Sequence, residues 1–338
     1  MSASYAAGQR RLNRDIICIG ASAGGVEAVR RLVTDLPADL PAAVFVVIHR
    51  GDRGPNLLPK VLGAVSRLRV VEAEEGQGIE RGTVYVAPGD RHLLVGRDHV
   101  HVRRGPHENR TRPAIDPLFR SAAVHCSGRV IGVVLSGTLD DGTSGLMAIK
   151  RCGGLAVVQD PRDALYPDMP QSALRHVEVD HVAPVAAMGE LLAGLAAQPR
   201  PPAVEPPEKL RMEAMIPALE IGDTSGVFGP PSPFTCPECH GSLVEIVDDG
   251  FIRFRCHTGH AFTADALHEA QAESFERAIY DAMRSQEEQA MLARRIAQDA
   301  QDRGYVGGAA DMKRRAEGYE EGANMLRQLL GRNGRPKA

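Results

Sequence analysis

Three places in this chain hold side chains suited to chemistry. One is a serine in a turn of small residues. Another is a histidine that closes an apolar run. The third is a pair of aspartates in a glycine-rich segment. Gly20-Ala21-Ser22-Ala23-Gly24 has the form G-x-S-x-G and follows the apolar stretch 16–19. Small residues let a chain bend sharply between strand and helix and hold the Ser22 hydroxyl clear of the backbone. The N–H groups that open the helix then face developing negative charge. A phosphate-binding turn is the competing reading, but the segment lacks both the G-x-G-x-x-G order and the P-loop lysine. A hydroxyl is a poor nucleophile at neutral pH and needs a base. His49, after the run Ala43–Ile48, could supply it, although a surface or capping histidine is the plainer reading of that residue alone. A third group must hold the imidazole in its useful tautomer. Asp140 and Asp141 follow the apolar run 130–135, and either could do so. Their turn could equally cap a helix or hold Mg²⁺. Residue types do not choose between the two aspartates.

A second constellation is built for metal. Cys236, Cys239, Cys256 and His260 read C-x₂-C-x₁₆-C-x₃-H, four ligands suited to tetrahedral Zn²⁺. His257 rivals His260 for the fourth place, and His240 is a weaker rival. The segment is too short to build a strong apolar core, so a bound metal would supply much of its folding energy. All four positions can be filled without water, which favours structural over catalytic zinc. A metal-free group of buried thiols is the alternative. No basic surround suggests DNA binding.

The elements that must position these residues follow from the hydropathy pattern. The 338 residues are 43% hydrophobic and 25% charged with a formal net charge of -3, an ordinary balance for a chain with a sizeable core. Neither that charge nor the absence of Trp points to nucleic acid. No apolar run is long enough to span a membrane, and no secretory leader is visible, so we expect a cytoplasmic protein without membrane insertion. Lone Cys18, Cys126 and Cys152 fit reduced thiols. From 15 to about 192 apolar strands alternate with helices: strands at 16–19, 43–48, 83–87, 130–135 and 155–159, helices at 26–36 and 142–151. Such alternation predicts an α/β fold with a mostly parallel sheet and helices on both faces. The segments 92–95 and 99–103 read as a hairpin at its edge. The expected organisation is a tail at 1–14, a catalytic domain at 15–192 and a Pro-rich linker at 193–233. A zinc-ribbon-like module at 234–262, a helical hairpin at 263–330 and a tail at 331–338 complete it. Within the linker, 212–219 reads as a short helix and 226–233 as irregular. The second helix of the hairpin carries Ala316, Tyr319, Ala323, Leu326 and Leu330 on one stripe.

The region 15–190 resembles the catalytic domain of bacterial chemotaxis receptor methylesterases, the protein-glutamate methylesterase family. The resemblance rests on IGASAGGVEAV at 19–29, VVIHR at 46–50, VYVAPGDRHLLV at 84–95, NRTRPAIDPLF at 109–119, GVVLSGTLDDGTSGLMAIK at 132–150 and MPQSAL at 169–174. These stretches span more than half of the chain in one order and spacing, which makes the set specific. It implies Ser22 as nucleophile, His49 as base and Asp141 as carboxylate, with backbone N–H groups of Ala23 and Thr138 as oxyanion donors. It needs no cofactor for catalysis.

The implied reaction is hydrolysis of glutamyl γ-methyl esters on a chemoreceptor-type protein, with deamidation of receptor glutamines as a second activity. Thr138, Leu139 and Asp140 stand where the family usually has Met, Gly and Asn, which bears on cleft shape. About 14 residues precede the catalytic region, where these enzymes usually carry a receiver domain. A separate regulator or the C-terminal region is therefore expected to control activity. The C-terminal helices suit contact with another protein or a second copy. Arg50, Arg110 and Arg112 could meet an acidic receptor surface, though a solvated basic patch explains them as well. The alternative from another class is a non-enzymatic scaffold in a chemosensory-like system.

Overall fold

The computed structural model describes residues 13–49, 56–218 and 227–333. The chain forms two compact units, Met1–Leu267 and His268–Ala338.

The first unit is built on a seven-stranded sheet. Its strands are β1 (Ile16–Ala21), β2 (Ala43–Ile48), β3 (Arg69–Glu72), β4 (Thr83–Val86), β7 (Val130–Val134), β8 (Leu155–Gln159) and β9 (His181–Ala183), in the order β3-β4-β2-β1-β7-β8-β9. All neighbours run parallel, with Ile16 opposite Ala43 on one side of β1 and opposite Val130 on the other. Strands β1, β2 and β7 are buried along their whole length. Alternate side chains enter two apolar clusters, one per face. Ile16, Cys18 and Phe45 belong to one, Ile17, Ile19 and Val44 to the other. Helices α1 (Gly25–Asp35) and α6 (Val185–Ala197) bury Leu32 and Leu192 in the second cluster. Helices α3 (Ile115–Cys126), α4 (Thr143–Arg151) and α5 (Asp168–His176) bury Leu118, Leu146 and Met169 in the first. A short α2 (Leu58–Gly63) precedes β3. Helices on both faces satisfy strands that are apolar on both sides.

The chain turns from β1 toward β2 and β4 on one side, and later toward β8 and β9 on the other. This places a topological switch beside β1. In open parallel sheets the crevice at such a point, beyond the carboxyl ends of the strands, is where ligands bind.

Three expectations change. The hairpin β5 (His92–Val95) and β6 (Val100–Arg103) is a two-stranded sheet of its own rather than an edge of the main one. The stretch expected to be irregular at 226–233 enters β10 (Pro231–Thr235), which pairs with β11 (Ser242–Asp248). With β12 (Phe251–Cys256) and β13 (Ala261–Thr263) these make a four-stranded antiparallel sheet. The short helix α7 lies at Glu208–Met215, a turn earlier than its apolar residues suggested.

The second unit holds most of α8 (Ala264–Asp302) and α9 (Val306–Asn333). Ion pairs Arg294–Glu320 and Arg327–Glu287 and the Lys313–Gln301 hydrogen bond show the two helices running antiparallel. Ala290, Ala293, Ala297, Ala309, Ala316 and Ala323 are buried along them, small side chains that let backbones come close.

Candidate active site

The turn after β1 carries Ser22, the end of β2 carries His49, and the turn after β7 carries Asp141. Because the three strands are adjacent and parallel, all three turns open on one edge of the sheet. Ladder hydrogen bonds continue past the strand ends into the turns. His49 N–H donates to Ala21 O (3.1 Å), Leu135 N–H to Gly20 O (2.9 Å) and Ser22 N–H to Ser136 O (2.9 Å). Gly24, at φ 73, provides the left-handed step into α1. At Gly137 a Cβ would lie 2.0 Å from Met169 Sδ and 2.8 Å from Ser22 Cβ, so only glycine lets the two turns approach.

Ser22 Oγ lies 3.1 Å from His49 Nδ1, and His49 Nε2 lies 2.6 Å from Asp141 Oδ2. The His49 side chain is 13% exposed and that of Asp141 3%. Asp141 is surrounded by donors. Oδ1 accepts from Asn109 Nδ2 (2.9 Å) and from the N–H groups of Asp116 (3.2 Å) and Gly142 (2.9 Å). Oδ2 also accepts from Ile115 N–H (2.7 Å). Burial alone would push this carboxyl up. His49 and the donors from Ile115 and Asn109 instead hold it below the usual carboxylate range. An ionised Asp141 accepts the proton-bearing Nε2, which leaves Nδ1 as a free lone pair facing Ser22.

Asp116, in the first turn of α3, contrasts with Asp141. Burial and the charge on Asp141 push its carboxyl up. Its Oδ1 accepts from Gly142 N–H (3.1 Å) and Gly145 N–H (2.6 Å), at the start of α4. Two carboxyls share one buried neighbourhood, and their values are pushed in opposite directions. Asp140 points away, its Oδ1 accepting from Thr263 Oγ1 (2.6 Å). Burial pushes it up to about 7, against the pull of that hydrogen bond.

The structure thus brings Ser22, His49 and Asp141 together. The backbone hydrogen bonds of the two turns use the N–H groups of Ser22, Gly25 and Gly137. They leave those of Ala23 and Thr138 without a backbone acceptor among the described residues. The turn bearing Thr138 is anchored through Ser136. Its N–H donates to Gln159 Oε1 (2.9 Å), and its Oγ donates to Ala23 O (2.8 Å). Sequence reasoning missed Asn109, Asp116 and Thr263. The first two lie inside the matched stretch NRTRPAIDPLF, but nothing in their types marked them as partners of Asp141. Arg112 is not free to meet a partner, since Nε donates to Asp90 Oδ1 (2.8 Å) and Nη1 to Gly105 O (2.7 Å). Arg110 is engaged within the chain as well. Arg50 lies outside the described residues.

The second constellation also assembles. Ligand atoms of Cys236, Cys239, Cys256 and His260 all lie within 4.8 Å of one another, whereas His257 is exposed and outside the group. The Cys239–Cys256 sulfurs are 3.7 Å apart, and His260 Nδ1 lies 3.7 Å from Cys236 Sγ and 3.5 Å from Cys256 Sγ. Tetrahedral zinc bonds of about 2.3 Å to sulfur and about 2.0 Å to nitrogen require edges of roughly 3.5–3.8 Å. The donor set and its spacing fit such an ion.

The model of the CheB methylesterase family matches residues 17–192. The chain is 40% identical over 185 residues to protein-glutamate methylesterase/protein-glutamine glutaminase 2 of Methanosarcina mazei, covering 52% of this chain and 50% of that protein. It is 38% identical over 185 residues to a putative protein-glutamate methylesterase/protein-glutamine glutaminase of Leptospira interrogans, covering 54% and 96%. The crystal structure of the Thermotoga maritima CheB methylesterase catalytic domain superposes with a TM-score of 0.51 at 32% identity, covering 54% of this chain and 98% of that one. The chain therefore spans about half the length of the Methanosarcina relative and nearly all of the Leptospira one.

Proposed function

The chain belongs to the CheB methylesterase family, and from that premise we propose that it is a serine hydrolase that removes methyl groups from glutamyl γ-methyl esters of a chemoreceptor-type protein. The observation that carries the reading is the continuous line Ser22 Oγ, His49 Nδ1, His49 Nε2, Asp141 Oδ2 at one sheet edge. His49 Nδ1 takes the Ser22 proton as Oγ attacks the ester carbonyl. Asp141 steadies the imidazolium through Nε2–H, and the N–H groups of Ala23 and Thr138 receive the oxyanion. His49 returns the proton to the departing methoxide. A water then gives its proton to Nδ1, attacks the acyl-enzyme and frees Ser22. Ammonia replaces methanol as leaving group when a receptor glutamine is the substrate.

The Cys236, Cys239, Cys256 and His260 cluster is the seat of a structural zinc ion in this proposal, its four places filled by protein. The ion's contribution is to tie the loop after β10 to the end of β12. Catalysis draws on no cofactor. Among the described residues no helix is long and apolar enough to cross a membrane, and we place the reaction in the cytoplasm. A separate regulator acting on the catalytic region is the proposed means of control.

Methanol release from a methylated receptor, compared between this protein and Ser22→Ala, tests the reading. Release that depends on Ser22 is the expected result. Equal release from both would leave the scaffold alternative standing.

A further inference from the structure

Strand β13 begins directly after His260, the last residue of the metal-type cluster. The segment 107–111 lies beside it. Ala261 N–H donates to His107 O (3.2 Å), and Asn109 N–H donates to Ala261 O (2.8 Å). Asn109 sits in the left-handed region at φ 49, a conformation asparagine tolerates better than most residues. Its side chain is gripped from the same strand, since Thr263 N–H donates to Asn109 Oδ1 (3.0 Å). That bond fixes the amide's orientation. With the oxygen facing an N–H donor, Nδ2 must face the carboxylates, and it donates to Asp141 Oδ1 (2.9 Å) and Asp116 Oδ2 (3.1 Å). The Thr263 hydroxyl donates to Asp140 Oδ1 (2.6 Å) and accepts from Ala266 N–H (3.1 Å) at the start of α8. Asn109, Asp116, Asp140, Asp141 and Thr263 are all buried.

The chemistry of position 109 is demanding. It needs an acceptor toward β13 and two donors toward a pair of carboxyls, in a side chain one methylene long. Aspartate would place a third carboxylate among them, and alanine would remove a donor from Asp141. The grip is not incidental to the fold of the sheet. It comes from an antiparallel module outside the region matched to the methylesterase family.

We propose that Asn109 and Thr263 are positioning residues that make the Cys/His module part of the catalytic apparatus. Strand β13 holds Asn109, and Asn109 and Thr263 hold the two aspartates of the turn after β7. The inference rests on reading Ser22, His49 and Asp141 as the catalytic triad. It deepens that reading by naming what sets the carboxylate. Asn109 acts through Asp141 on the tautomer and aim of His49. Thr263 acts through Asp140 on the turn that also carries the Thr138 N–H.

The test uses the full chain and two readouts. The first is the rate at which an alkyl fluorophosphonate modifies Ser22, followed by intact mass, with Ser22→Ala as the blank. The second is the low-field proton resonance of His49 Nε2–H, identified as the one missing from His49→Ala. In Asn109→Ala, labelling should slow by about tenfold or more, since small misplacements of a reacting group carry costs of that order. The His49 resonance should also move. Thr263→Val should slow labelling by about threefold to tenfold on the same grounds, and Thr263→Ser, which keeps the hydroxyl, should restore most of the rate. Melting curves of each variant confirm that labelling is read below its transition.

Labelling of Asn109→Ala at the parent rate with an unmoved resonance overturns the inference while leaving the triad intact. A parent protein that resists labelling overturns the catalytic reading instead. The resonance still reports whether Asn109 sets the His49–Asp141 pair. A moved resonance in Asn109→Asp but not in Asn109→Ala would also overturn it, because the effect would then belong to the added charge.

Discussion

The parallel sheet and the Cys/His module hold their functional side chains by different means. In the sheet, Ser22, His49 and the turn of Asp141 hang from strands whose side chains are wholly buried and apolar. Register with neighbouring strands sets their places, and the hydrophobic effect supplies the free energy without specifying direction. The module has little of this. Ile216, Phe228 and Ile246 form a small apolar cluster of their own, with Phe251 reaching into the core of the sheet. Its seat on α3 and α7 is ionic. Arg255 donates to Glu108 and Glu213, Arg253 pairs with Glu213 and Asp248, and Arg120 pairs with Glu108. Arg120, Arg255, Glu108 and Glu213 are all buried. Burial opposes their charges, and the opposing partners keep Glu108 and Glu213 ionised. Such a lattice gives direction more than strength, because desolvation consumes much of the attraction. The sheet thus supplies rigidity, while the module supplies a specific orientation to the residues that touch Asp141.

That contrast is broken most sharply by variants that should affect one region and spare the other. His49→Ala should lower methanol release by at least about a thousandfold, the scale seen when a base is removed from such a triad. Metal content and melting temperature should stay close to the parent's. Loss of metal in this variant would mean that the two regions are not separable in this way. Cys236→Ser should do the reverse to the module. Zinc measured in the purified protein should fall from one equivalent toward zero, and hydrogen exchange should speed in β10–β13 while β1, β2 and β7 stay protected. Unchanged zinc would remove Cys236 from the ligand set.

The ionic seat offers a third comparison. Glu108→Ala removes the carboxylate that Arg120 and Arg255 share and leaves Glu213 to face both, and breaking a buried pair of this kind costs about 3–5 kcal/mol. Replacing an exposed apolar residue on a helix that covers the sheet, such as Val26 on α1, which is 48% exposed, should change stability by less than about 0.5 kcal/mol. Urea melts of Glu108→Ala and Val26→Ala measure both. Equal effects would show that the lattice is not what seats the module.

The sheet was legible in the sequence because its central strands are apolar on both faces and end at residues of unusual type. Ser22 and His49 follow directly from that pattern. The edge strands were not. β3 reads Arg-Val-Val-Glu with both ends exposed, and β9 has only three residues, so neither carries the unbroken apolar run of a central strand. Helix α3 is buried on nearly every side, with Asp116, Arg120 and Ser121 inside. A helix covered both by a sheet and by another module loses the polar stripe that identifies an amphipathic one. Residue types alone did not separate Asp141 from Asp140, and the difference between their surroundings is visible only in three dimensions. Asp141 meets donors from α3 and from Asn109, whereas Asp140 meets Thr263, far along the chain. The metal-type cluster was legible from spacing alone, but β10 and β13 were not, because Pro231 and Pro233 mask one strand and the other has three residues.

Asp140 gives the effect most sensitive to pH. Its carboxyl is pushed up from an ordinary 3.8 to about 7. The groups facing it are the Thr263 hydroxyl and the charges of Asp265, Asp141 and Arg175. Between these two values the folded chain binds a proton that the unfolded chain has lost, so this residue's contribution to stability declines as pH rises from about 4 to about 7. Asparagine, which cannot ionise, keeps an oxygen to accept from Thr263 and escapes the decline. The advantage of Asp140→Asn over the parent should therefore grow as pH rises, by about 2–3 kcal/mol between pH 4.5 and pH 8. Glu108, Glu213 and Asp141 carry lowered values and lose stability as pH falls, but they titrate in both proteins and cancel in the difference. Thermal melts of the two proteins at both pH values supply the measurement. A gap that stays constant with pH would mean that Asp140 is ionised in the folded state throughout. The Thr263 hydroxyl would then be pairing with a charge rather than orienting a neutral turn.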